Sequence, residues 1–88
     1  MKLAQRLDLG AAAPLKQALL AARGAAIAID ASDVEHLGAL CLQALLAAKA
    51  AWANDSCAFR IIDPSPAFLE AGRLMMGEHR LAEEGASA

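Results

Sequence analysis

Cys41, Cys57, His36, His79, Asp30, Asp33, Glu35 and Asp63 are the residues of this sequence whose types suit a reactive or metal-binding site. A nucleophile–base pair needs its thiol and imidazole within hydrogen-bond reach. His36 and Cys41 are five apart, which on a helix is about 140° around the axis, and His36 is expected in the loop before that helix. They do not meet. Zinc ligands come at spacings such as C-x₂-C or H-x₃-H, and no pair among these cysteines and histidines has one. The acidic residues around position 30, with Asp63, have the oxygen chemistry for Mg²⁺. Such carboxylates more often cap helices and tie down loop amides. The glycines, at 10, 24, 38, 72, 77 and 85, form no phosphate-cradling motif. The reading is of a chain without catalysis, metal or cofactor.

The elements that must position these residues alternate along the chain. Lys2 to Leu9 reads as a short strand. Gly10 and the Ala11–Pro14 run open a first helix, with Leu15, Ala18, Leu19 and Ala22 as its buried stripe. Pro14 suits a first turn, where its missing N–H costs nothing. Arg23-Gly24 ends that helix. Ala25 to Asp30 is a continuous apolar run, the pattern of a strand buried on both faces. A polar loop, 31–36, leads into a second helix over Leu37–Asn54, followed by a strand over Cys57–Asp63. Ser65-Pro66 is an N-cap followed by a first-turn proline. It starts a third helix that runs to Met76, with Phe68, Leu69, Gly72, Met75 and Met76 inward. Residues 78–88 carry little core material and are expected to fray as a tail behind a single domain, 1–77.

This order, strand–helix three times over, predicts an α/β fold with a partly parallel sheet and right-handed crossovers. Ligands of such sheets bind beyond the carboxyl ends of the strands. The loop after Asp30 is the longest of those ends, so the site is expected there. On the second helix, Leu37, Leu40, Cys41, Ala44, Leu45, Ala48, Ala51 and Trp52 are expected to face the sheet. The opposite side then carries Ala39, Leu42, Gln43, Leu46, Lys49, Ala50 and Ala53. A helix covering a sheet normally shows charges outward. This one is apolar almost all round, which points to a protein-contact face.

Composition narrows the classes further. Of 88 residues, 58% are hydrophobic, against 20% charged and 3% aromatic, so disorder is excluded. The formal charge of −2 spreads its basic residues along the chain without a cluster, and nucleic acid is a poor partner for such a surface. The apolar stretch from Leu37 to Ala53 is interrupted by Gln43 and Lys49, and a membrane span needs about 20 predominantly apolar residues. No apolar signal segment follows Met1-Lys2, so the expected compartment is the cytoplasm. In that reducing setting both cysteines are expected as thiols.

Ala26 to Ser32, then Val34, then Leu37-Gly38-Ala39-Leu40-Cys41-Leu42-Gln43-Ala44-Leu45-Leu46, resemble a STAS domain. That domain is found in anti-sigma factor antagonists and in the small subunit of bacterial lipid-transport ABC systems. Leu7-Asp8-Leu9 and Phe59 to Pro66 add to the likeness, which covers roughly residues 3–77. The resemblance implies a STAS-like mixed sheet with helices packed mainly on one face. The usual first strand looks absent or merged into the N-terminal residues, and the C-terminal strand and helix look curtailed. Either departure leaves an edge or face that a second copy of the chain can cover.

The family's phosphorylatable Ser or Thr stands at the start of the second helix. Here the aligned residues are Gly38, Ala39, Leu40 and Cys41, none with a hydroxyl. No phosphorylation is expected at Ala39 or Leu40, and Ser32 is the nearest alternative. The resemblance implies a non-catalytic module of bacterial signalling, without cofactor or membrane insertion. Its partner would be an anti-sigma factor or a chemotaxis histidine kinase. Ser32, Asp33, His36, Gly38, Ala39, Leu42, Gln43 and Leu46 are the expected contact residues. Two other readings stand beside it: an accessory subunit of a lipid-transport ABC complex, and a small-molecule or nucleotide sensor using Asp30, Asp33 and Asp63.

Overall fold

The computed structural model describes residues 1–76. The expected tail, 78–88, lies outside them. The elements are β1 (Arg6–Leu7), a 3₁₀ turn (Leu9–Ala11), α1 (Ala12–Ala21), β2 (Ile27–Asp30), β3 (His36–Leu37), α2 (Ala39–Asn54), β4 (Phe59–Ile62) and α3 (Pro66–Met76). Helix α1 contains Pro14 in its first turn and is followed by Gly24 at φ +99°, a conformation that glycine adopts without penalty. The sequence places both signals correctly.

Strands β2 and β4 pair in parallel, with Ile27 opposite Phe59 and Ile29 opposite Ile61. The N-terminal residues run along the other edge of β2. Leu3 donates to the Asp30 carbonyl at 2.9 Å, and Asp30 donates to the Met1 carbonyl at 2.7 Å. The chain then crosses to a second ribbon, where β1 pairs in parallel with β3. The expected mixed sheet therefore contains only parallel pairs among the described residues. The reason is connectivity: α2 lies between β2 and β4, and α1 with β2 lies between β1 and β3. Crossovers of that length return the chain in the same direction.

One face of the β2–β4 ribbon is covered. Trp52 of α2 meets Phe59 edge to face, with ring centroids 5.8 Å apart, and its indole N–H donates to the Ala25 carbonyl at 2.8 Å. Around them Leu3, Leu7, Leu15, Leu19, Ile29, Val34, Leu37, Cys41, Leu42, Leu45 and Phe68 form one core. On the other face Ala28 and Arg60, which are register partners, are both exposed. The expectation that the 25–30 strand is buried on both faces is thus overturned: this ribbon is covered on one side only.

Helix α2 begins two residues later than expected, because His36 and Leu37 are held in β3 by Arg6 and Leu7. It is also rotated relative to the expected orientation. Leu42, expected outward, is 2% exposed, whereas Leu40, expected toward the sheet, is 54% exposed. The buried arc is Cys41, Leu42, Leu45, Ala48 and Trp52. On α3, Phe68 is buried as expected, but Leu69 and Met75 are exposed, and on α1 Ala18 is exposed. An alanine- and leucine-rich helix offers several apolar arcs of similar width, so its periodicity alone does not choose among them. Denaturant unfolding tests the rotation. Leu42→Ala should cost about 2–5 kcal/mol, as for a core leucine, and Leu40→Ala should stay within about 0.5 kcal/mol.

Candidate docking site

The loop expected to carry function, 32–38, is fixed at both ends by backbone bonds. At its start the Ala31 N–H donates to the Ile62 carbonyl at 3.1 Å, and the Ser32 N–H donates to Asp30 Oδ1 at 2.9 Å. The hydrogen bonds from the Ser32 hydroxyl and N–H hold the Asp30 carboxyl below its ordinary range, with Lys2 and the terminal amino group adding to the effect. In the middle, the Gln5 carbonyl accepts from both Glu35, at 2.7 Å, and His36, at 3.1 Å. Val34 points into the core at 2% exposure. Lys2 reaches Asp33 at 3.3 Å, a pair exposed enough to contribute little.

The end of the loop explains Gly38. Its N–H donates to the Leu7 carbonyl at 2.8 Å, and a Cβ there would sit 3.0 Å from that same oxygen. Its φ of −82° is ordinary, so space, not backbone conformation, calls for glycine. One turn on, the Cys41 thiol donates to the Asp8 carbonyl at 3.4 Å. Burial, with a smaller contribution from the Asp8 charge, pushes its pKa up. A thiol so placed is a packed side chain and a poor nucleophile.

Of the expected contact residues, Ser32, Asp33, His36, Ala39 and Gln43 are exposed, and Gly38 is half-buried. His36 lies in β3 and not in a free loop. Leu42 is withdrawn into the core, so its expected place on the outer face is corrected. Leu46 is half-buried and packs against that core. The Asp30 carboxylate is engaged by the Ser32 amide of its own loop, whereas Asp33 keeps an exposed carboxylate beside Lys2. Among the described residues no three of His, Cys, Asp and Glu stand together as metal ligands.

Sequence reasoning missed the most exposed apolar residues near this site. Leu9, in the 3₁₀ turn that contacts α2, is 75% exposed. Leu40, in the first turn of α2, is 54% exposed. Beyond Leu40 an apolar groove of about 490 Å³ runs between α1 and α2, with Lys16, Leu20, Gln43 and Ala47 among its walls. Leu40, Gln43, Ala47 and Ala51 follow helical spacing and signal this face. Leu9 has no such pattern, since its exposure follows from how the turn is seated.

The Asp30 carboxyl makes stability depend on acid. Its folded pKa is depressed, so its contribution is present above the unfolded value, about 3.9, and is lost as pH falls through the folded value. Thermal unfolding followed from pH 6 down to pH 2 should show this loss, and Asp30→Asn should flatten that part of the profile.

A family model described as Mlab, STAS domain, matches residues 1–83 of the chain. No curated protein and no solved structure matches it.

Proposed function

The chain belongs to the STAS domain family, and on that footing we propose that it is a non-catalytic docking module, resembling anti-sigma factor antagonists, of a bacterial signalling system. The partner is a kinase-like ATPase, either an anti-sigma factor or a chemotaxis histidine kinase. It is engaged in the cytoplasm by the 32–38 loop and the exposed arc at the start of α2. One observation carries this reading. Where the family has its phosphorylatable hydroxyl, this chain presents an apolar rim, with Leu9 75% and Leu40 54% exposed.

Around that rim stand Ser32, Asp33, His36 and Gln43. Rim charges steer encounter and set register more than they add affinity. Ala39 lets a partner backbone approach closely. The turn Gly38-Ala39-Leu40-Cys41 contains no hydroxyl, so binding is governed by abundance or by the partner's nucleotide state. No helix among the described residues is long and apolar enough to cross a membrane. An accessory-subunit role in a lipid-transport ABC complex would use the same face, and the experiment separates the two.

Tagged chain is recovered with its co-purifying proteins, which are identified by mass spectrometry, with Leu40→Glu as the control. Leu40→Glu should keep the wild-type melting temperature and weaken binding to the purified partner by at least about tenfold, or 1.4 kcal/mol. A kinase-like or anti-sigma partner lost in the variant supports the proposal. A transporter ATPase in its place moves the assignment to the accessory subunit. Self-association alone, or a partner retained by the variant, overturns the contact face.

A further inference from the structure

We propose that Ser65 is the positioning residue of the docking loop, its buried hydroxyl tying that loop to the first turn of α3 so that the two are ordered as one unit. This rests on the reading of 32–38 as a docking loop. Ser65 is 9% exposed, the one buried polar side chain among the described residues. Its Oγ donates to the Val34 carbonyl and accepts from the Phe68 N–H at 3.0 Å. Its own N–H donates to the Ala31 carbonyl at 3.1 Å. A single residue of α3's start therefore holds both ends of the Ala31–Val34 turn.

Capping alone does not require this. An N-cap needs only an acceptor for an amide two or three residues on. A hydroxyl has one proton to give besides its lone pairs, and here that proton crosses to an element 31 residues away in sequence. The Val34 side chain and the Phe68 ring both enter the core, at 2% and 1% exposure. Ser32, Asp33 and Glu35 stay exposed on the outside of the pinned turn. A loop ordered before encounter loses less conformational freedom on docking.

Two substitutions separate the tie from the cap. In Ser65→Asp the ionised carboxylate still accepts from Phe68, at a helix N-terminus that favours it, but has no proton for Val34. Ser65→Thr keeps both bonds. Amide hydrogen exchange is read residue by residue on the free chain. In Ser65→Asp the Ser32 and Val34 amides should exchange about tenfold faster, the scale of one lost hydrogen bond. Phe68, and Leu45 in the middle of α2, should stay near wild type, and Ser65→Thr should restore the loop.

Unchanged loop amides overturn the proposal, as does a rise shared equally with Leu45, which would report global stability alone. Should Ser65→Asp not fold, Ser65→Ala serves. There the proposal requires Ser32 and Val34 to accelerate beyond Leu45, and acceleration of Phe68 alone reduces Ser65 to a cap. Failure here leaves the docking reading standing, because no partner is present. Failure of partner capture, in turn, leaves the exchange result untouched.

Discussion

The backbone of residues 5–8 is the constraint from which the rest of the structure follows. In four residues it supplies acceptors to the N–H groups of Glu35, His36 and Gly38 and to the Cys41 thiol. These bonds bring the end of the loop and the first turn of α2 against β1, close enough that a Cβ on Gly38 would press on the Leu7 carbonyl at 3.0 Å. Once that turn is seated, the rotation of α2 about its axis is no longer free. Cys41 faces Asp8, so Leu42 and Leu45 enter the core and Leu40 turns to solvent. Buried backbone groups must find partners. Here their partners are shared between two short strands that propensity alone would never single out.

That seating explains why the second helix was legible in existence and length but not in orientation. A helix with leucine or alanine at most positions has no charged face to mark its outside, and the arc chosen from sequence differed from the real one by about half a quadrant of the helical wheel. The deciding contacts, Gly38 to Leu7 and Cys41 to Asp8, lie about thirty residues apart in sequence and leave no periodic trace. Local signals fared better. Gly24, at positive φ, stands in the turn that follows α1, and Ser65-Pro66 starts α3 with the hydroxyl on the Phe68 amide. Each is written within one turn of chain, which is the range over which a sequence speaks directly.

Strands were legible in proportion to their burial. The runs around Ile29 and Phe59 were found, because parallel strands facing a core read as apolar. Their solvent side was misjudged for the same reason: Ala28 is an apolar residue that exposure barely penalises. The strand at His36–Leu37 falls where the pattern predicts loop and helix, since two residues held by a neighbour's carbonyls need no pattern of their own. The candidate site inherits these errors unevenly. The loop expected to carry the site does lie beyond the carboxyl end of β2, while Leu42, expected among its apolar contacts, is in the core and the exposed Leu40 was expected inward.

The corrected arc makes a physical demand of its own. Fully burying a leucine side chain is worth roughly 1.5–3 kcal/mol, and a domain of this size has only about 5–15 kcal/mol of net stability. Yet Leu9, Leu20 and Leu40 are each more than half exposed on neighbouring elements, while Leu3 and the smaller Val34 are sealed. The geometry has an evident alternative, since the rotation inferred from periodicity would have put Leu40 inward and Leu42 outward. Residues 5–8 hold the helix against that alternative. Backbone bonds that seat the first turn of α2 turn Leu40 outward and leave apolar surface in water, and covering it is the free-energy gain that the proposed docking would draw on.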